Sequence, residues 1–225
     1  DLFGTDFITN PPRSGGGSDG GGGARDDDGE SREGGPRVAE IRSQYRVIVN
    51  PQGRFILVNR GGVATPVPVD EYRREVIARV LSEAHDLDEF RALWIEPKKR
   101  RQLIDHLLGD HFSPDVIRNV DHMDDFDLYD FFGKHGYHAR ALRRPERGAA
   151  YVNTHAAWFA GMDAKPAIVL KSLASQFAQG GTDALETPAL WAVPEIAQAG
   201  GLDALRLLGR PTQVMQDAKM RLFGA

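Results

Sequence analysis

The residues best suited to chemistry lie in MDDFDLYDFF, residues 123–132. There Asp124, Asp125, Asp127 and Asp130 alternate with Phe126, Tyr129, Phe131 and Phe132. Carboxylates this dense can hold Mg2+, which takes one or two protein carboxylates plus a phosphate. A Ca2+ loop needs Gly at its bend and oxygen ligands at alternating positions, and this run lacks that spacing. Read as a helix, the run from Asp121 to Asp130 places its acids on a shared face and its rings on the others. That periodicity marks packing, with rings inward and acids to water. The acids can also pair with the arginines of RALRRPER, residues 140–147.

A second acidic pattern is Asp70 with Glu96 and Lys98, from PVD and EPK. Many Mg2+-dependent nucleases carry an Asp and a downstream Glu-x-Lys, in which two carboxylates hold the metal and the Lys helps activate water. Those motifs sit on adjacent strands. Here Asp70 reads as a helix cap, and Pro97 between Glu96 and Lys98 cannot donate to a sheet ladder. Of the seven His residues, His135 and His138 form the best pair, but no third ligand stands at a helical spacing. No HExxH, GxxxxGK[ST] or GxSxG occurs. The reading is therefore of no catalytic residue, no metal ligand and no cofactor site within this chain.

The basic clusters are the alternative carriers of function. Lys98, Lys99, Arg100 and Arg101 form one; Arg140, Arg143, Arg144 and Arg147 form the other. Such clusters contact phosphates or dock on acidic partners. No aromatic residues interleave with them, which argues against a stacking platform for single strands. With Phe131 and Trp158 as aromatic anchors, they make up the candidate partner or DNA contacts.

Turn and cap signals supply the elements around these residues. YRVIV (45–49) and RFILVN (54–59) flank a turn with Pro51 and Gly53, a hairpin signal. Helical periods then dominate. Asp70 is a cap for EYRREVIARVLSEA, with Tyr72, Val76, Ile77 and Val80 on one face. Asp86 and Glu89 resemble a capping box. Pro97 opens a helix that Gly109 ends, and Ser113-Pro114 opens another. Pro145 opens RGAAYVNTHAAWFAG, a further helix spans 164–179 up to Gly180-Gly181, and short helices fill 183–209. Pro211 starts the last. The fold class is mainly α: a bundle-like helical body with one small hairpin near its N-terminal edge.

Residues 11–37 hold ten Gly and no large apolar residue, so they read as a disordered linker that cannot offset its ordering entropy. The chain divides into an arm, 1–10, this linker, and a body, 38–225. Starting at Asp1 rather than Met, it reads as a piece of a longer protein. A net charge of -4 excludes a uniformly basic nucleic-acid binder. With no Cys in 225 residues, disulfides and thiolate sites are excluded, which suits a reducing compartment. No apolar run approaches the roughly 18 residues that span a membrane. The cytoplasm is the expected location.

Several stretches then read together: LWIEPKKRRQLIDHLL (93–108), DFDLYDFFGKHGY (125–137), RPERGAAY (144–151), LASQFAQGGTDALETPALW (173–191), IAQAGGLDALRLLG (196–209) and KMRLF (219–223). In this order they resemble the C-terminal region of the R (motor) subunits of type I restriction enzymes, the EcoEI-like branch. Related superfamily-2 helicases carry a similar tail. The shared marks are an Arg-rich helix after a Trp, a D-x-Y/F-D helix and an R-x-x-R stretch. The resemblance implies a parent that couples ATP hydrolysis to translocation on double-stranded DNA and cleaves unmethylated DNA, in phage defence. ATP and Mg2+ would be used by domains upstream. The C-terminal region would hold the motor on a core of modification (methyltransferase) and specificity subunits. No catalytic residue carries over. The expectation is thus a non-catalytic assembly domain, with a DNA-binding accessory domain and an Asp70–Glu96–Lys98 nuclease as alternatives.

Overall fold

The computed structural model describes residues 37–40, 46–50, 53–60, 63–109 and 112–225. All belong to one compact unit, Gly35–Ala225. The arm 1–10 and all but the last residue of the linker expected over 11–37 lie outside the described residues; that last residue, Arg37, begins the first strand.

Four strands, β1 (Arg37–Glu40), β2 (Arg46–Asn50), β3 (Gly53–Arg60) and β4 (Val63–Pro68), form an antiparallel meander in chain order. The expected hairpin is β2–β3, with Val47 opposite Ile56 and Asn50 opposite Gly53. The sheet has two strands beyond that hairpin. β4, VATPVP, gives no strand signal because Pro66 and Pro68 have no N–H to donate. It is tolerated as an edge that pairs only with β3. Val47, Ile56, Val58 and Val67 are buried on one face of the sheet.

Helix α1 (Val69–Glu83) packs on β3 and β4. It buries Tyr72, Val76, Ile77 and Val80, the face its 3.6-residue period predicts. Asp70 is not its cap. Pro68 holds that position, and Asp70 sits in the first turn and bonds Arg73 at 2.9 Å. An acid there still favours the helix through the dipole. In α2 (Leu87–Ile95), Asp86 accepts from the N–H groups of Asp88 and Glu89, as expected of a cap. The Glu89 carboxylate accepts from His85 N at 2.8 Å, one residue before the usual box position. α3 (Pro97–Gly109) and α4 (Pro114–Val120) start at their prolines.

α5 (Leu128–Tyr137) begins later than the acidic run suggests, because Asp127 is its N-cap. Residues 121–127 form turns, with His122 in left-handed backbone at φ 57°. The helix expected after Pro145 is two, α6 (Arg144–Thr154) and α7 (Ala156–Ala160), broken at His155. α8 (Ala164–Ala184) is kinked at Gly181, whose φ of 67° and ψ of -156° suit only glycine. A 3-10 turn (Pro188–Ala192), α9 (Pro194–Gln198), α10 (Gly201–Arg206) and α11 (Pro211–Gly224) follow. The body is mainly helical, with the sheet at its N-terminal edge.

The core is rich in aromatic residues. Phe90 stacks on Tyr129 at 5.4 Å, Tyr129 meets Phe223 at 4.6 Å, and Phe177 meets Phe223 edge-on at 5.6 Å. These contacts tie α2, α5, α8 and α11 together. α6 runs against α8 with Gly148 at the crossing, where a Cβ would lie 2.8 Å from the Ala174 carbonyl oxygen. Gly148→Ala should therefore force the helices apart and cost about 1–3 kcal/mol, the range for overpacking. Urea denaturation measures this; an unchanged midpoint would show that the crossing has room.

Candidate functional site

The acidic run does not present a solvated face. Asp124 and Asp125 are exposed, but Asp127 is 5% and Asp130 2% exposed. The rings did turn inward: Tyr129, Phe131 and Phe132 are buried, and only Phe126 is half-buried. The physical reason for the buried acids is that each has a full set of donors. A buried carboxylate survives only when paired and hydrogen-bonded.

Asp127 joins two chain segments. Its Oδ1 accepts from Tyr129 N and from Thr182 Oγ1, both at 2.9 Å; its Oδ2 accepts from Thr182 N at 2.7 Å. It thus caps α5 and also holds the first residue after the Gly181 kink. A Cβ on Gly181 would come 2.5 Å from that Oδ2. Trp94 Nε1 donates to Thr182 Oγ1 at 3.0 Å and draws α2 into the same node.

Asp130 and Arg147 form a second node. Arg147 donates to the carboxylate from Nε at 2.9 Å and from Nη2 at 2.6 Å, and Leu142 N donates at 2.8 Å. Arg147 Nη1 reaches the carbonyls of Leu222, Phe223 and Ala225 at 3.2–3.3 Å. Tyr129 also donates to the Phe223 carbonyl, at 3.0 Å. The end of α11 is therefore pinned to α5 and α6. Desolvation raises the Asp130 carboxyl above its usual range, and the Arg147 bonds oppose that shift.

A third node centres on Glu186. It accepts from Arg100 through both oxygens and from Lys219 Nζ at 2.6 Å. Arg100 also donates to the Trp94 carbonyl at 3.2 Å. Desolvation alone would raise Glu186, but its two cations hold it below the ordinary carboxylate range. Burial lowers the Lys219 ammonium against the pull of Glu186, so both partners lie below their ordinary values. Glu186 decides the acid response, because a carboxylate gains a proton on acidification whereas an ammonium already carries its own. A fourth pair, Asp121 with Arg73 at 2.6 and 2.7 Å, has His135 3.5 Å away.

These nodes leave the carboxylates little to offer a metal. Among the described residues, no group of three or more His, Asp or Glu could hold one. The nuclease trio is dispersed over helices rather than strands. Asp70 pairs with Arg73, Glu96 pairs with Lys99 at 2.9 Å, and Lys98 points to solvent on α3.

Of the candidate contacts, Lys98, Lys99, Arg101, Arg140 and Arg143 are exposed, and Arg144 and Trp158 are half-buried. Arg221 lies over the Trp158 ring at 4.4 Å. Phe131 at 0% cannot meet a partner, nor can the buried Arg147 or Arg100. The two arginines were expected outward because arginine usually is; Arg147 is drawn in by Asp130 and Arg100 by Glu186. Sequence reasoning missed Thr182, Glu186 and Lys219. Only the adjacent Gly180-Gly181 break pointed to this region.

The family model described as EcoEI R protein C-terminal matches residues 70–220, more than half of the chain. The chain belongs to this family. No curated protein and no solved structure matches it. The EcoEI R protein C-terminal domain is thus the helical body from the first turn of α1 to the last turns of α11, and the sheet precedes the matched stretch. The matched stretch contains the node residues Trp94, Arg100, Asp127, Asp130, Arg147, Glu186 and Lys219.

Two outcomes follow for this domain. Arg147→Met strands Asp130 in the core and should cost about 3–5 kcal/mol, whereas Asp130→Leu with Arg147→Met should recover part of that loss. Chemical denaturation of the three variants checks this; a double variant worse than the sum of both singles would refute it. Because Glu186 is depressed in the fold, its contribution is present above the unfolded carboxylate pKa and lost as pH falls through the lower folded value. Glu186→Gln should be less stable at pH 7 and should lose less on acidification. Melting curves from pH 7 to pH 3 report it, and parallel profiles for both proteins would contradict it.

Proposed function

We propose that this C-terminal domain is a non-catalytic assembly module. In this reading it docks an ATP-dependent DNA translocase and endonuclease onto its modification and specificity subunits. The observation that carries the reading is the family match, which spans the helical body and identifies an R protein C-terminal domain of type I restriction enzymes. Two features support it. The buried carboxylates are occupied by arginine, lysine and backbone donors, so the acidic helix serves packing rather than catalysis. The exposed cations Lys98, Arg101, Arg140 and Arg143 remain for a partner. ATP and Mg2+ belong to upstream domains of the parent in this account. Among the described residues no helix is long and apolar enough to cross a membrane; a cytoplasmic location is part of the proposal.

The decisive experiment is capture of the parent R subunit by its modification and specificity subunits, with and without residues 38–225. Capture should disappear on deletion, and continued binding would refute docking. Charge reversal of Lys98, Arg101, Arg140 and Arg143 to Glu, in the intact subunit, should weaken capture. If the cations instead serve DNA, the same variant should lose duplex binding whose affinity falls steeply with salt.

A further inference from the structure

Arginines withdrawn from solvent in this domain have partners. Arg147 has Asp130, Arg100 has Glu186, Arg73 has Asp121, and Arg91 has Asp88 and Tyr129. Arg118 leaves its Nε without an acceptor, but its terminal nitrogens reach Asp115 and the Phe126 carbonyl. Arg221 covers the Trp158 ring. Arg144 breaks the pattern. It is half-buried and its Nε is enclosed with no acceptor. Among the described residues its guanidinium meets no carboxylate, carbonyl or ring.

The backbone places Arg144 firmly. It is the first residue of α6, and its N–H donates to the Asp125 carbonyl at 2.9 Å. Its Cδ lies 3.4 Å from the point where a Gly181 Cβ would be. Asp127 is near, but its oxygens are taken by Thr182 and Tyr129. A guanidinium partly out of water and without an acceptor is costly, and an arriving anion relieves that cost.

We propose that Arg144 is the receptor for a carboxylate side chain of the docking partner, an inference that rests on the assembly reading above. The planar fork can take a carboxylate or a phosphate through two parallel bonds. The surroundings choose between them. Asp124 and Asp125 are exposed on the turn whose carbonyl anchors Arg144. Asp183, two residues beyond Gly181, and Asp115, paired to Arg118 beside that turn, also face solvent. Duplex DNA brings one negative charge per roughly 1.7 Å and would meet all four acids. A single Asp or Glu on a segment otherwise neutral or basic meets only the cation it needs. Arginine is also enriched among interface anchors.

The test uses the intact R subunit with its modification and specificity subunits, comparing wild type, Arg144→Met, Arg144→Lys and, as a control at an exposed arginine outside the proposed contacts, Arg210→Ala. Arg144→Met should weaken the apparent Kd at least tenfold. Arg144→Lys, which keeps the charge and loses the fork, should fall between, and Arg210→Ala should change it less. The melting temperature of Arg144→Met should equal or exceed that of wild type. Unchanged capture by Arg144→Met overturns the proposal and leaves docking intact. So does an equal loss in Arg210→Ala, which would reduce the effect to general charge. A fall of several degrees in melting temperature would make Arg144 a structural residue. Loss of duplex retention with normal subunit capture would make it a phosphate contact. Wild type that is not captured at all defeats the assembly reading and this inference together.

Discussion

The bidentate bond between Asp130 and Arg147 is the contact on which the helical body depends. Both groups are buried, so neither can exchange its partner for water. Arg147 uses its remaining nitrogen on three carbonyls at the end of α11, and Asp130 uses its remaining capacity on Leu142 N. One ion pair thereby fixes where α5, α6, the loop before α6 and the end of the last helix lie. The aromatic contacts among Phe90, Tyr129 and Phe223 form only when those backbones are held at that spacing.

Buried ion pairs add little net stability over a well-packed apolar core, since desolvation offsets much of the attraction. Their effect is on arrangement. An apolar contact tolerates sliding, whereas a carboxylate with a matched donor set does not. Asp127 and Thr182 hold the kink of α8 against α5, and Glu186 holds α3 and α11 together through Arg100 and Lys219. A body pinned at these nodes keeps the relative positions of its surface cations, which a docking surface requires. Asp127 and Asp130 of the MDDFDLYDFF run therefore act in the interior, while Asp124 and Asp125 stay at the surface.

Much of the secondary structure was legible because its signals are local. Pro97, Pro114, Pro145 and Pro211 mark helix starts through their fixed φ and missing N–H, and Asp86 caps α2 as its spacing indicates. The hairpin at Gly53 and the buried face of α1 were readable for the same reason. The errors are equally physical. β4 hides its strand behind two prolines. The turn over 121–127 keeps a helical spacing of acids although its backbone is not helical. Phe131, Arg100 and Arg147 carry no local mark that separates an interface residue from a core residue.

The sequence by itself determined the helical class, the main boundaries and the family, since caps, prolines and apolar periods act within a few residues. Which acid meets which arginine was decided only by tertiary structure. Asp127 meets Thr182 across 55 residues, and Arg100 meets Glu186 across 86. Charge at that separation is worth nothing until the chain has folded and removed the intervening water. The same enclosure that pairs Arg147 and Arg100 leaves Arg144 half-withdrawn without an acceptor, a distinction invisible in the letters R-R-P-E-R.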